Sequence, residues 1–359
     1  MGWKTDRKIL VIESDDWGSF RFKNSNIRDH YIKDYNPENW MHYNDCFESY
    51  EDLKALKDLL LKYQDNNGRH PAFTFLMNPA NPDFNKIREH NFQNYFYEPF
   101  DETLEKRVDG HLIYDWYKNA LSERLVEVGF HGREHLNVNA WMTDLSQGDD
   151  VALDGFNNRI WGQGVLKSKR FNSYRSAFQI RSYDELELLK DSISDGIQIM
   201  NQLFKQETTY FLAPDGPYHL SLNPTMIENG IKYIGLAKLH NNPLEHKRHQ
   251  KKLFWMGKRT KSGLIAITRN VIFEPGSPRS KDWLESALKS IHKAFKFNNP
   301  AVISTHRANY VGGLNEHNRV QGLQLLKLLL KQITKQWPNV EFMTSSELGN
   351  LISKDKGYQ

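Results

Sequence analysis

Two aspartates stand side by side in "VIESDDWGSF", residues 11–20, just after the apolar run Ile9, Leu10, Val11, Ile12. Adjacent carboxylates at the mouth of a core strand repel each other and lose solvation, so something must offset the cost of Asp15 and Asp16. One aspartate at a strand end reads as a turn residue that caps the backbone. Two in succession read equally well as a cation ligand or a catalytic group. A second chemically capable stretch is "FHGREH", residues 130–135, with His131 and His135 four apart. On an extended strand that spacing would part the α-carbons by ~13 Å, too far for one ion. A helical turn after Phe130, eased by Gly129 and Gly132, would point both imidazoles the same way. With a carboxylate from Asp15 or Asp16 they make a three-ligand site with open positions, the pattern of catalytic rather than structural zinc. The plain alternative is two surface histidines in a loop, in a chain with 14 of them.

Such residues meet only if the fold gathers strand ends. Strand-like runs at 9–14, 72–78, 128–130, 209–213, 233–237, 263–270, 301–305 and 340–344 alternate with helical patterns at 49–63, 112–126, 183–205, 223–229, 282–297 and 318–336. Short unbroken apolar stretches suit strands buried on both faces. The alternation predicts an α/β fold, an irregular (β/α) barrel of about seven to eight parallel strands. Two segments, 79–110 and 137–182, fit no regular element and read as long loops inserted into one domain spanning 1–359. Loops this long are functional lids, binding loops or disordered chain. Trp141, Trp161, Gly162 and Gly164 make the second too rich in large apolar groups for disorder. In a parallel barrel the active residues lie at the C-terminal ends of strands. Those ends carry Asp15 and Asp16, residues 130–135, "APDGPY" at 213–218 and "THR" at 305–307. Metal-capable side chains therefore collect at one rim.

Composition narrows the partners. The 359 residues are 39% hydrophobic and 26% charged with a formal net charge of +4, ordinary for a globular protein. The densest basic stretch, "EHKRHQKK" at 245–252, reads as a solvated loop, so no nucleic-acid partner is expected. Cys46 is the only cysteine, which excludes an internal disulfide and a thiolate zinc cluster. No apolar run approaches a membrane span of about 20 residues or a signal-peptide core, so a cytoplasmic location is expected, a trimmed leader aside. Aromatics make up 13% of the chain, which suits core packing and also stacking on sugar rings.

Taken in order, "SDDWG", "HGREH", "APDGPY", "KDW" (281–283) and "ISTH" (303–306) resemble the motifs of the polysaccharide deacetylase family. The likeness runs from about residue 8 to 350, apart from the two long loops. It implies an irregular (β/α) barrel and a metal-dependent hydrolase, with Zn2+ the usual ion. Such an enzyme removes N- or O-linked acetyl groups from a polysaccharide, oligosaccharide or sugar-containing precursor. On that resemblance Asp15 matches the general base, Asp16, His131 and His135 the metal ligands, and His306 the general acid. Asp215 or Tyr218 would supply an oxyanion N–H and bind substrate, and Trp283 would line the acetyl pocket. A plain inward position on the first turn of the 282–297 helix explains Trp283 equally well. The third motif departs from the pattern: Leu212 stands where the family has an arginine that holds the base. Arg133 and Arg307 are candidates to replace it. That departure motivates a rival reading, a catalytically silent barrel that binds carbohydrate or protein. Another metal hydrolase, of amides or phosphate esters, would share the same ligands.

Overall fold

The computed structural model describes residues 2–35, 38–161, 165–166, 173–245, 248–277 and 281–355. Nine strands form one parallel sheet: β1 (Lys8–Trp17), β2 (Phe73–Met77), β3 (Val126–Phe130), β4 (Tyr210–Leu212), β5 (Tyr233–Gly235), β6 (Ile265–Ile267), β7 (Val271–Ile272), β8 (Ala301–His306) and β9 (Val340–Met343). The hydrogen-bonded order is β6-β5-β4-β3-β2-β1-β8-β7, and β9 pairs with the first residues of β1. The two ends of that order, β6 and β7, are consecutive in the chain, with only Thr268, Arg269 and Asn270 between them. The sheet therefore curls into an irregular (β/α) barrel, closed at this seam by chain connection rather than by strand pairing.

The apolar runs form strands because both faces are covered. In β1 the alternation is visible residue by residue. Leu10, Ile12 and Trp17 join the cluster under the surrounding helices, whereas Ile9 and Val11 join a second cluster with Leu76, Tyr210, Ile267 and Val302. Leu348 and Ile352 of the helix Ser345–Lys354 belong to that second cluster. By the same alternation Glu13 and Asp15 share the face of Ile9 and Val11. Around the barrel the helices Tyr50–Leu60, Gly110–Ser122, Glu185–Phe204, Trp283–Lys296 and Glu316–Gln336 supply the outer layer. The first is fixed by a Ser49/Asp52 capping box and buries Leu53, Leu56, Leu59 and Leu60. None of the described helices is long and apolar enough to cross a membrane.

Several expectations are corrected. The run 263–270 is not one strand: Ile265–Ile267 ends, the chain crosses the seam, and β7 follows at once. Residues 249–251 of the basic stretch are exposed and Lys252 half-buried, and all four are paired in an antiparallel hairpin of His249–Leu253 with Leu239–Pro243; residues 246–247 lie outside the described ones. The segment 79–110 is not a loop. It holds the hairpin Ala80–Pro82/Tyr97–Pro99 and the helices Phe84–Glu89 and Phe100–Glu105. The segment 137–182 likewise carries helices Val138–Ser146 and Asp150–Asn157; Gly162 and Gly164 lie outside the described residues. The two segments pack on each other, with Phe84 against Trp141 and Phe156, in a hydrophobic cluster of their own.

Candidate active site

Asp15 and Asp16 reach the same cleft because the strand breaks its own rule there. Neighbouring side chains on a regular strand point to opposite faces. Between Ser14 and Trp17 the pairing of β1 with β2 shifts register, and Asp16 adopts φ +81°. A bulge of this kind re-aims a side chain. The left-handed backbone costs an L-residue roughly 1–2 kcal/mol. Both carboxylates are buried, 5% and 4% exposed, yet they meet different partners.

Asp16 faces the histidines. Its Oδ1 lies 3.6 Å from His131 Nε2 and 3.1 Å from His135 Nε2, and one donor atom from each of the three residues falls within 4.8 Å of the others. Its Oδ2 lies 3.2 Å from the Arg21 guanidinium. Burial alone would push the Asp16 carboxyl up, but Arg21 and the histidines hold it well below the usual range. The histidines are gathered by a bend at Gly132, φ +86°, and not by the expected helical turn; residues 131–136 form no helix. A Cβ at Gly132 would sit 3.0 Å from the Glu134 carbonyl, so glycine is needed there. Asn78, just beyond β2, donates to the carbonyls of His131 and Gly132 at 2.7 and 3.0 Å and holds the bend.

His131 Nδ1 lies 2.7 Å from the Leu212 carbonyl oxygen. A carbonyl only accepts, so Nδ1 carries the hydrogen and Nε2 presents its lone pair to the cleft. His135 stacks on Trp161, ring centres 6.0 Å apart, and burial lowers its pKa, which favours the neutral ligand form. His135 Nδ1 is buried with no hydrogen-bond partner. One carboxylate and two imidazoles, buried and convergent, fit a divalent metal of the zinc class.

Asp15 meets the other half of the cleft floor. Arg269, in the seam between β6 and β7, grips it with a two-pronged contact at 2.5 and 2.7 Å, while its Nε donates to Glu13 and one Nη to Ser304. Burial would raise the Asp15 carboxyl, but Arg269 overrides it and keeps the group ionised. His306 lies beside Asp15 by strand register, with Nε2 3.8 Å from Oδ2. Its Nδ1 contacts Glu274 at 2.7 Å, and Glu274 in turn accepts from Asn309 at 2.7 Å. Burial works against the His306 cation, but Glu274 and then Asp15 outweigh it and raise the pKa to about 10. A protonated imidazole and an ionised carboxylate thus face one cleft, of about 800 Å³.

The remaining expected residues divide. Asp215, φ +54°, lines the cleft but is engaged by Arg175 at 2.9 Å and Ser176 at 2.9 Å. Tyr218 is a core residue: fully buried, it packs on Phe211, donates to Asn223, and offers its carbonyl to His240. Trp283 lies outside the cleft, against the hydrophobic core on the first turn of its helix. Neither proposed arginine touches Asp15. Arg133 pairs with Glu134 and Asp195, and Arg307 is buried against Asp45 and Glu48. Arg307 is linked to Arg21, the partner of Asp16, through Asp45, which holds Arg21 at 2.7 Å, and through Ser19. The residues that sequence reading passed over are Arg269, Glu274 and Arg21. Arg269 stands in "TRN" at the end of a strand-like run, so the strand-end rule was enough to find it. Glu274 follows a two-residue strand and gives no such signal.

No family model matches the sequence, and no curated protein does. Among solved structures the fold is similar to a "putative glycoside hydrolase/deacetylase" from Parabacteroides distasonis, at 12% identity and a TM-score of 0.53 over 98% of this chain and 72% of that one. It is also similar to a "probable Polysaccharide deacetylase" from Pseudomonas aeruginosa PAO1, at 10% identity and a TM-score of 0.51 over 99% and 94%. At these identities the likeness is one of fold, a (β/α) barrel of the deacetylase type.

Proposed function

We propose that this chain is a metal-dependent hydrolase that removes acetyl groups from a sugar-containing substrate. The observation that carries this reading is the division of labour at Asp15 and Asp16, one carboxylate turned to two histidines and the other to a histidine cation. Asp16, His131 and His135 would hold the ion. A bound divalent metal, zinc by its donor set, supplies Lewis-acid polarisation of the acetyl carbonyl and acidifies a water. Asp15, kept ionised by Arg269, would take a proton from the attacking water. His306, with its pKa raised by Glu274, would hand a proton to the departing sugar nitrogen or oxygen. Arg21 keeps Asp16 ionised and occupies its second oxygen, leaving Oδ1 toward the imidazoles.

The rival silent barrel drew its motive from Leu212. Against it, a guanidinium does hold Asp15 here, that of Arg269 from the seam instead of a residue of the strand that carries Leu212. Acetate release from N- and O-acetylated oligosaccharides, with total metal measured on the same protein, tests the reading. We expect release that stops on chelation and returns with zinc. Metal-loaded protein that frees no acetate from any acetylated sugar contradicts it.

A further inference from the structure

At the seam that closes the barrel, residues 257–258 bond to the edge of β6 that faces away from β5: Gly257 N–H donates to the Ala266 carbonyl and Ala266 N–H to the Lys258 carbonyl. β6 and β7 do not pair, and Thr268 and Asn270 face a groove of about 560 Å³. This groove is bounded by residues 253–256 on one side and by the helix Trp283–Lys296 on the other. Its charge has one sign: Lys4, Lys238 and Lys293 line it, all exposed, with no carboxylate in the lining. Lys258 adds an ammonium over the Trp255 ring, 4.3 Å from its centre. Bare apolar surface lies among these cations, with Leu253 at 55% and Phe297 at 54% exposure. The cleft differs: five carboxylates and four lysine or arginine side chains line it. The two hollows are neighbours, with Lys238 and Asn270 in the lining of both.

Scattered lysines on a convex face need no partner. Here they converge on a concave, partly apolar groove beside the reaction cleft, and like charges so placed favour an anion between them. Phe297 and Leu253 offer apolar surface of the kind that packs against sugar ring faces. We infer that the side groove binds the continuation of the substrate chain and that this chain is an anionic glycan, acidic on sugars near the acetylated one. The inference rests on the deacetylase reading of the cleft for its link to catalysis, but the groove's charge is independent of that reading.

The test is calorimetric titration of the full chain with two probes of equal length. One is the hyaluronan hexasaccharide, which alternates N-acetylglucosamine with glucuronate, and the other is the neutral chitin hexasaccharide. We expect tighter binding of the anionic probe, weakened by added salt. Lys238→Gln with Lys293→Gln should weaken it about tenfold and leave the neutral probe within twofold, which also reports an intact fold. Equal affinity for both probes, or an unchanged double variant, overturns the proposal. Capture of phosphatidylglycerol vesicles with no binding of the anionic glycan overturns it too, in favour of a membrane surface. Acetate release is scored separately on the wild type. Anionic-glycan binding without any release would sink the deacetylase reading and leave the groove assignment standing.

Discussion

The two halves of the cleft floor are built on consecutive residues and solve the same problem differently. Asp15 and Asp16 are both buried, and each is kept ionised by its own arginine, Arg269 or Arg21. Around Asp16 the other partners are two imidazoles whose nitrogens lie close enough to it to share a metal. Around Asp15 the guanidinium occupies both carboxylate oxygens, and the nearest further group is a histidine cation. An arginine fork competes with a metal ligand's geometry but suits a base that must stay charged and oriented. The contrast teaches that adjacency in sequence says little about role. A bulge and one left-handed residue bring the two carboxylates to one cleft, and their partners then separate their functions.

The sharpest way to break this contrast is to remove the fork. Arg269→Met should lower turnover by about 100-fold through misplacement of the base, with bound metal unchanged. It should also destabilise the fold by about 3–5 kcal/mol, because Glu13 and Asp15 lose a buried cation. Arg269→Lys should rescue stability better than turnover, since it restores charge without the fork. Urea unfolding and steady-state rates on both variants check this; equal rescue of rate by lysine would contradict an orienting role. A smaller effect is expected at Glu274→Gln. His306 has a raised folded pKa, about 10 against the ordinary 6.5. Its pairing therefore stabilises the fold fully below about pH 6.5 and loses that contribution as the pH rises through about 10. The glutamine variant should move the alkaline limb of the kcat/KM profile to lower pH and flatten the loss of stability over that window. An alkaline limb that stays in place would remove Glu274 and His306 from the acid half of the mechanism.

Much of this arrangement was legible in the chain. The apolar runs marked eight of the nine sheet strands because parallel strands are buried on both faces, and the rim residues followed from the strand ends. What escaped depended on contacts distant in sequence. β7 is two residues long, too short for any period, and hides Glu274 behind it. The helix Phe84–Glu89 and the helices of 137–182 bury their apolar faces against each other, Phe84 on Trp141 and Phe156, while Phe100–Glu105 buries Phe100 and Leu104 in the main core, so each segment alone looks irregular. The side chain of Tyr218 fills the core, and of the two expectations for Trp283 its place is the inward one, on the first turn of its helix. Arg133 and Arg307 stood next to site histidines in sequence, yet each turns to acids elsewhere.

The central claim, that Asp16 holds metal while Asp15 acts as base, is tested most directly by one paired measurement. Asp15→Asn and Asp16→Asn are purified side by side, and metal per chain and acetate release are measured on the same samples. The account predicts that Asp15→Asn keeps the wild-type metal content and loses turnover by about 10²–10⁴-fold, whereas Asp16→Asn loses the metal. An Asp15→Asn protein that turns over like wild type, or an Asp16→Asn protein that retains its metal, contradicts it.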